Sequence, residues 1–434
     1  MNHKVITLLI CLFSMQGLMN GRFSLGFLPQ QLIWIGHLII MFVYFKVTLN
    51  HLTLYVKNKL KRRFDVVEIL LIVSLMYGFY LMIAKNIPIL VGLIGIKNLL
   101  VFPMIYVIIK REKRINFPNL ILVYKYILLL QIPIYLYQGL KLNWAAEQMT
   151  GTWGFHTTGI NGVIYTAVVL FGITYYIYTK EKKALLLLLC IIFNGISGVR
   201  ATFLLLFIGI ATLVFYQLLF VKKKFSRLLI MLLIIIPIIL IADYSHLYFE
   251  GIKISTLFIN KSSSMLRAQI IGYGVVGSSE ITHFGRITSL FFVWTDLIQN
   301  NILLTGHGPG LAREEILGGA VSVKEAFVFK GSSGGLAPIW YEFGSIGIIL
   351  YFQMIMSCIL SFIFISIRNK SLRNDPYLIW GIVISVLFLF GSLYTNMWNI
   401  YSAFHYWLFM GLIFRNIEGK TKSTHSLLNE DIQI

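Results

Sequence analysis

The sequence predicts an all-α fold, a polytopic membrane protein with about twelve transmembrane helices and one large loop between two of them. Three observations predict this class. Hydrophobic residues make up 58% of the 434 positions and charged residues only 12%, whereas a soluble domain carries about 25% charged residues. Apolar runs long enough to cross a hydrocarbon core of about 30 Å recur along the chain. Basic residues cluster in every second gap between these runs.

Twelve apolar segments are the predicted helices. The first follows a weakly basic start and has no small-residue cleavage site after it, which favours a retained helix over a signal peptide. The segments are Val5–Asn20, Gln31–Phe45, Val66–Ala84, Ile89–Ile109, Leu120–Gln138, Ile160–Tyr178, Ala184–Ile196, Ala201–Val221, Leu228–Ala242, Ala337–Ile365, Leu378–Tyr394 and Tyr401–Phe414.

The distribution of lysine and arginine predicts the orientation. Basic clusters follow each even-numbered segment, and the short odd-numbered gaps hold few basic residues. Because basic loops stay in the cytoplasm, we expect both termini there and residues 245–336 on the opposite side. Topology therefore explains the net charge of +20, and no nucleic-acid partner is expected. The chain forms a single integral domain, residues 1–434, whose polar tail, residues 416–434, is expected to be disordered.

An amphipathic helix is predicted inside the large loop, over Gly285–Asn300, with Arg286 at its start. Two alternatives fit this pattern: the helix lies in the membrane interface, or it is a loop helix without lipid contact. The apolar residues that share one face are Ile287, Leu290, Phe291, Trp294, Leu297 and Ile298.

Three glycines follow this helix at alternate positions, Gly306, Gly308 and Gly310. Such a triplet allows tight turns and a close approach of the backbone to a ligand. It lacks the lysine of a P-loop and the preceding strand of a dinucleotide site, so nucleotide binding is not indicated.

Two more polar elements are expected on the same side of the membrane, residues 151–156 and the turn around Arg200. Arg200 either lies at a helix end with its charge toward water, or points into a cavity and holds an anion. Lys97 lies well inside the fourth segment, where a charge is costly and indicates a function. Lys125 is near a segment end, where a lysine reaches the surface.

Six short motifs occur in order between about residues 90 and 365. They are IGIKNLL, LLLQIPIYLYQ, GTWGFHTTG, SGVRAT, LLTGHGPG and IWYEFGSIGIILYF. Their order and spacing, with Arg286 and Trp294 about one short helix upstream of LLTGHGPG, resemble the O-antigen polymerase (Wzy-type) and ligase family. Lys97 stands where arginine is common in that family.

The resemblance implies a metal-independent membrane glycosyltransferase in the bacterial inner membrane, with its large loop in the periplasm. Its donor and acceptor would be undecaprenyl-pyrophosphate-linked glycans, and its partners membrane lipid and a chain-length regulator protein. Arg200 and Arg286 would bind the pyrophosphate, which suits the bidentate guanidinium group. The candidate substrate contacts are Lys97, Gly151, Trp153, His156, His283, Trp294, Gly306, Gly308 and Gly310.

The chemistry also needs a general base for the acceptor hydroxyl. The candidates are three histidines, His307, His283 and His156, and one glutamate, Glu342. The unperturbed pKa of histidine suits a base that acts at neutral pH. Each of these residues has a structural alternative, and Glu342 could instead be a helix-end carboxylate that holds an arginine. No Asp-x-Asp pair and no cysteine cluster occurs in the sequence, so no metal and no cofactor are expected.

One departure from the family favours polymerase over ligase. Ligase-like members carry a His–Asn pair about nine residues before the glutamate of their Glu-x-Gly element, and this chain has Ser333 and Gly334 there. Two other functions are compatible with the composition. A transporter or lipid flippase would show two related halves, which are not evident, and a non-catalytic scaffold would leave Arg200 and Arg286 without a role.

Overall fold

The computed structural model describes residues 3–15, 31–56, 65–112, 117–141, 151–153, 158–179, 201–221, 272–274, 281–284, 286–312, 335–394 and 401–430. Eleven α-helices carry most of these residues. They are α1 (His3–Ser14), α2 (Gln31–Val56), α3 (Val66–Ala84), α4 (Ile89–Arg111), α5 (Phe117–Lys141), α6 (Thr158–Thr179), α7 (Ala201–Tyr216), α8 (Arg286–Gln299), α9 (Ala337–Arg368), α10 (Pro376–Tyr394) and α11 (Tyr401–Glu430). Short 3₁₀ turns lie at Gly151–Trp153 and Lys370–Asn374, and a π-helical turn, Gln217–Val221, continues α7.

Ten of the twelve predicted segments coincide with helices α1–α7 and α9–α11. The other two, Ala184–Ile196 and Leu228–Ala242, lie outside the described residues. Within the described part of the chain, five helices are long and apolar enough to cross a membrane. A helical multi-pass fold is thus confirmed at this level, and a total of twelve crossings stays a prediction. The five spans are Leu32–Leu54, Val66–Ala84, Ile89–Arg111, Ala337–Arg368 and Pro376–Leu393.

The described residues are almost entirely helical, and one short hairpin is the exception. Strand β1 (Gly272–Gly274) pairs with strand β2 (Ile281–Phe284) in an antiparallel hairpin, with Tyr273 opposite His283. This hairpin lies in the predicted loop, 245–336. A segment outside the hydrocarbon core can bond its backbone to water, so it is not restricted to helices as a spanning segment is.

The tail from residue 416, where disorder is expected from the sequence, continues helix α11 as far as Glu430. Its first turns beyond the apolar segment are fastened to the bundle. Ile417 is buried, Glu418 lies 3.2 Å from the Lys110 ammonium, and Lys420 pairs with Asp375. These contacts attach the first residues of the polar tail to the bundle.

Helix α4 lies at the centre of the described bundle. It packs against α2, α3 and α11, and every side chain from Leu99 to Lys110 is buried. Aromatic rings from α11 pack against it, with Trp407 6.1 Å and Phe414 5.6 Å from Tyr106 between centroids. Close packing on all sides makes α4 the helix against which the other elements are positioned.

Buried ion pairs fasten one end of this bundle, which we call the basic end. Arg111 binds Glu68 through two hydrogen bonds of 3.1 and 2.7 Å, and both side chains are nearly buried. Asp65 caps α3 by accepting the Glu68 amide at 2.7 Å, and it also accepts hydrogen bonds from Lys110 and Tyr106. These contacts therefore hold the start of α3 next to the end of α4. The two consecutive helices run in opposite directions, so these two ends lie on the same side of the bundle.

Candidate functional site

The long helix α9 is broken at Gly344, whose backbone has φ 62° and ψ −169°. The break frees the carbonyl groups of Tyr341 and Glu342 from the helical hydrogen-bond pattern. These carbonyls accept hydrogen bonds from the amides of His307, at 2.8 Å, and Gly308, at 2.9 Å. A segment distant in sequence thus completes the backbone bonding of the first half of α9.

The second half of α9 is completed by the same segment, which we call the glycine loop (residues 302–312). The amide of Ser345 donates to the Leu303 carbonyl at 2.9 Å, and that of Ile346 donates to the Leu304 carbonyl at 3.3 Å. The Tyr77 hydroxyl on α3 lies 3.2 Å from the Leu304 carbonyl and 3.0 Å from the Phe343 carbonyl. The loop is therefore bonded to both sides of the helix break and to α3.

The three glycines singled out in the sequence allow the loop to pack closely in this position. Gly306, Gly308 and Gly310 have φ values of 68°, 124° and 88°. A Cβ on Gly306 would lie 2.5 Å from the Gly344 amide nitrogen, and one on Gly310 would lie 2.3 Å from the Val91 carbonyl oxygen. The close approach of Gly306 and Gly310 is thus to the backbone of α9 and α4, and contact of the three glycines with a substrate stays a prediction.

A histidine and a carboxylate meet on the surface of this loop. His307 Nε2 lies 2.5 Å from Asp296 Oδ2, and its ring stacks on Tyr341 with 4.3 Å between centroids. The two side chains are 20% and 23% exposed. When Nε2–H donates to Asp296, the lone pair of the neutral ring lies on Nδ1. The pair is therefore a histidine held in one orientation by a carboxylate, the arrangement that a general base needs.

Glu342, the other catalytic candidate among the described side chains, is in a different environment. Its side chain is 2% exposed, and its Oε1 accepts a hydrogen bond from the Ala312 amide at 3.2 Å. This contact fastens the end of the glycine loop to α9. Of the two candidates, His307 is the one that solvent or a substrate can reach.

Trp294 on α8 and Trp340 on α9 contact each other. Their ring centroids are 5.5 Å apart, and Trp340 Nε1 donates to the Ser345 hydroxyl at 3.1 Å. Trp294 is 43% exposed. An exposed indole here could stack on a sugar face or anchor at the membrane interface, the two alternatives that tryptophan presents.

The described contacts of Lys97 do not place it near His307. Its side chain is buried, and its ammonium lies over the Trp34 ring on α2, 3.9 Å from the centroid. Such a cation–π contact stabilises a charge away from water. The structure therefore places Lys97 on the α2 side of α4, although Gly95, two residues earlier, contacts Gly310.

Gly151 is held by two glutamines that sequence reasoning missed. Gln138 accepts the Gly151 amide at 2.8 Å, and Gln131 accepts the Thr152 amide at 2.8 Å. Both glutamines are buried on α5, seven residues apart and hence on one face. Two polar residues seven positions apart in an apolar helix are the sequence signal that could have identified these glutamines. Gly151 has φ 61°, so its described role is to turn the chain against α5.

The remaining predicted site residues cannot be placed in the same way. Arg200 and His156 lie outside the described residues, as do the side chains of Arg286, His283 and Trp153. The predicted convergence of the two arginines therefore stays a prediction. Among the described residues, no group of three or more histidine, cysteine, aspartate or glutamate side chains could hold a metal ion.

The fold and this site define a class: a helical multi-pass membrane protein with a glycine loop docked into a helix break and a His–Asp pair between that loop and helix α8. Comparison with models of known protein families and with curated proteins finds no match for this chain.

Proposed function

We propose that this protein polymerises undecaprenyl-pyrophosphate-linked oligosaccharide repeat units into O-antigen or a related surface polysaccharide, at the periplasmic face of the inner membrane. The observation that carries this proposal is the orientation of His307 by Asp296 within the LLTGHGPG motif. The motif supplies the resemblance to the polymerase and ligase family, and the pair supplies the base that glycosyl transfer needs.

The reaction assigns one step to each group. The acceptor sugar hydroxyl attacks the anomeric carbon of the lipid-linked donor and forms the new glycosidic bond. Its proton passes to His307 Nδ1, and the imidazolium that forms is stabilised by Asp296. The bond between the anomeric carbon and the pyrophosphate oxygen breaks, and the electron pair leaves with the lipid pyrophosphate.

Arg200 and Arg286 are proposed to bind the departing pyrophosphate through bidentate hydrogen bonds. Charge stabilisation of this kind contributes about 2.7–4 kcal/mol per donor. Replacement by lysine should rescue poorly, because lysine lacks the planar fork. Arg200 lies in the SGVRAT motif, and Arg286 lies about one short helix upstream of LLTGHGPG. These positions within the family resemblance are the support for this part of the proposal.

Deletion of the gene in its host, followed by gel analysis of surface polysaccharide, tests the proposal. Loss of a polymerase leaves core plus one repeat unit, loss of a ligase leaves bare core, and loss of a flippase leaves no exported repeat. We expect the first pattern from the deletion and from His307→Ala, Arg200→Ala and Arg286→Ala. His425→Ala, far along α11, is the matched control and should restore the full ladder. Wild-type ladders from all three variants would contradict the proposal.

A further inference from the structure

The glycine loop meets α3 well below the end of that helix. Helix α3 has 19 residues, so its length is about 29 Å at 1.5 Å per residue, close to the roughly 30 Å thickness of a hydrocarbon core. The Leu304 carbonyl is bonded to Tyr77, seven residues before the last residue of α3, Ala84. Seven residues correspond to about 10 Å along the helix axis.

Helix α4 indicates the same depth independently. A Cβ on Gly95 would lie 2.1 Å from the Gly310 amide nitrogen, so the two backbones touch. Gly95 is six residues after Ile89, the first residue of α4, or about 9 Å along its axis. Two spanning helices thus place the two arms of the loop, Leu304 and Gly310, at one level inside the apolar layer.

The backbone bonding of the loop suits this depth. Irregular backbone is tolerated in the hydrocarbon region only where protein satisfies its polar groups. The amides of His307 and Gly308 donate to α9, and the carbonyls of Leu303 and Leu304 accept from α9. Both Gly306 and Gly310 are buried, so the bare backbone at these positions is covered by protein.

The outer side of the loop and of α8 is apolar and exposed. Phe291, Trp294, Ile298 and Leu304 have exposed fractions of 69%, 43%, 44% and 61%. At 100° per residue, the first three lie along one side of α8 and Asp296 lies roughly opposite. On α3, next to the Tyr77 contact, Tyr80 and Ile83 are 60% and 73% exposed. The Leu304–Tyr77 contact thus joins the loop part of this apolar surface to a helix that is long and apolar enough to cross a membrane and that also presents exposed apolar side chains.

We propose that the glycine loop is a re-entrant element that lies at membrane depth, and that Phe291, Trp294, Ile298 and Leu304 contact lipid directly. The occupant of this surface is the bilayer itself. Helix α8 then separates lipid on one side from the His307–Asp296 pair on the other. The inference concerns the placement of residues 286–312 and is independent of any reaction.

Site-directed spin labelling in lipid nanodiscs tests this placement. Single cysteines at Leu304→Cys and Ile298→Cys are introduced into a chain whose native cysteines are replaced by alanine, and accessibility to oxygen and to a water-soluble nickel complex is measured. Met76→Cys, at an exposed position of α3, is the lipid reference, and Lys370→Cys is the water reference. We expect positions 304 and 298 to match position 76, with oxygen access and little nickel access. The replaced cysteines are Cys11, Cys190 and Cys358.

Nickel access like that of position 370 would place the surface in water and overturn the proposal. Exclusion of both reagents would show that protein covers it, whether from this chain or a second copy, and would equally overturn it. A benzophenone amino acid at position 304 in the otherwise native chain is a second measurement that avoids the cysteine replacements. Illumination in membranes should then yield phospholipid adducts, and their absence, with adducts formed at position 76, contradicts the placement.

Discussion

At the basic end of the bundle, Glu68 and Arg111 are paired and nearly buried, with exposed fractions of 6% and 11%, whereas at the loop end His307 and Asp296 remain 20% and 23% exposed. The first pair joins two spanning helices. The second pair joins helix α8 to a loop that is already held by backbone hydrogen bonds. Backbone hydrogen bonds, together with the side chains of Tyr77 and Glu342, hold the loop in place, so the partly exposed His307 and Asp296 are available for chemistry.

The two ends also differ in what holds them together. A basic cluster expected only to set topology turns out to provide Lys110 and Arg111 for structural ion pairs. The loop end instead uses glycines, whose missing side chains allow three backbone segments to meet. A functional site in this molecule is therefore best sought where polar groups are not required for packing.

The largest expected effect on stability is at Gly310. A methyl group there would meet the Val91 carbonyl at 2.3 Å in a backbone conformation with φ 88°. Strain of about 1–3 kcal/mol and overpacking of about 1–3 kcal/mol should together lower the free energy of unfolding of Gly310→Ala, measured by denaturant titration in detergent micelles. Gly419→Ala is the control, because nothing lies within 4 Å of that position. Equal stability of the two variants would contradict backbone fastening at the loop end.

At the basic end, removal of the Glu68 carboxylate should lower the free energy of unfolding. Glu68→Ala leaves the Arg111 guanidinium without its bidentate partner in a nearly buried position, which costs about 3–5 kcal/mol in unfolding free energy. Glu418→Ala removes a partner that is 33% exposed and should cost about 0–1 kcal/mol. The same titration measures both. A smaller loss for Glu68→Ala than for Glu418→Ala would break the distinction between the two ends.

A smaller loss of stability than at Gly310 or Glu68 is expected at Tyr77. Tyr77→Phe removes the hydroxyl that meets the Leu304 and Phe343 carbonyls, and one hydrogen bond contributes about 0.5–1.5 kcal/mol. Tyr80→Phe, an exposed position on the same helix, should leave stability unchanged. Hydrogen exchange at the His307 and Gly308 amides should increase in Tyr77→Phe alone. Unchanged exchange there would show that α3 does not hold the loop.

Much of the helical framework could be predicted because each helix depends on local sequence. Helix α3 begins and ends where it was predicted, at Val66 and Ala84, since Asp65 and Glu68 form a capping box at its start. Helix α8, Arg286–Gln299, was likewise predicted from its periodicity. Its predicted apolar face is divided in the structure: Leu297 is buried, while Phe291 and Ile298 are exposed.

The site could be predicted only in part, because it depends on contacts between distant segments. His307 was a candidate by residue type, but its partner Asp296 is reached only when the glycine loop folds back along α8. The stretch EFGSIGII was predicted as part of one uninterrupted helix, and the break at Gly344 arises because the loop supplies the missing hydrogen bonds. No local pattern encodes such an exchange.

The most direct test of the account uses the purified chain, reconstituted in nanodiscs with one defined undecaprenyl-pyrophosphate-linked repeat unit. The account predicts a ladder of lipid-linked glycans from the wild type, and a rate lower by about 10²–10⁴-fold for His307→Ala, the contribution of a general base. A wild-type rate from folded His307→Ala would contradict the assignment of the base. No ladder from a folded wild-type preparation would contradict polymerisation itself.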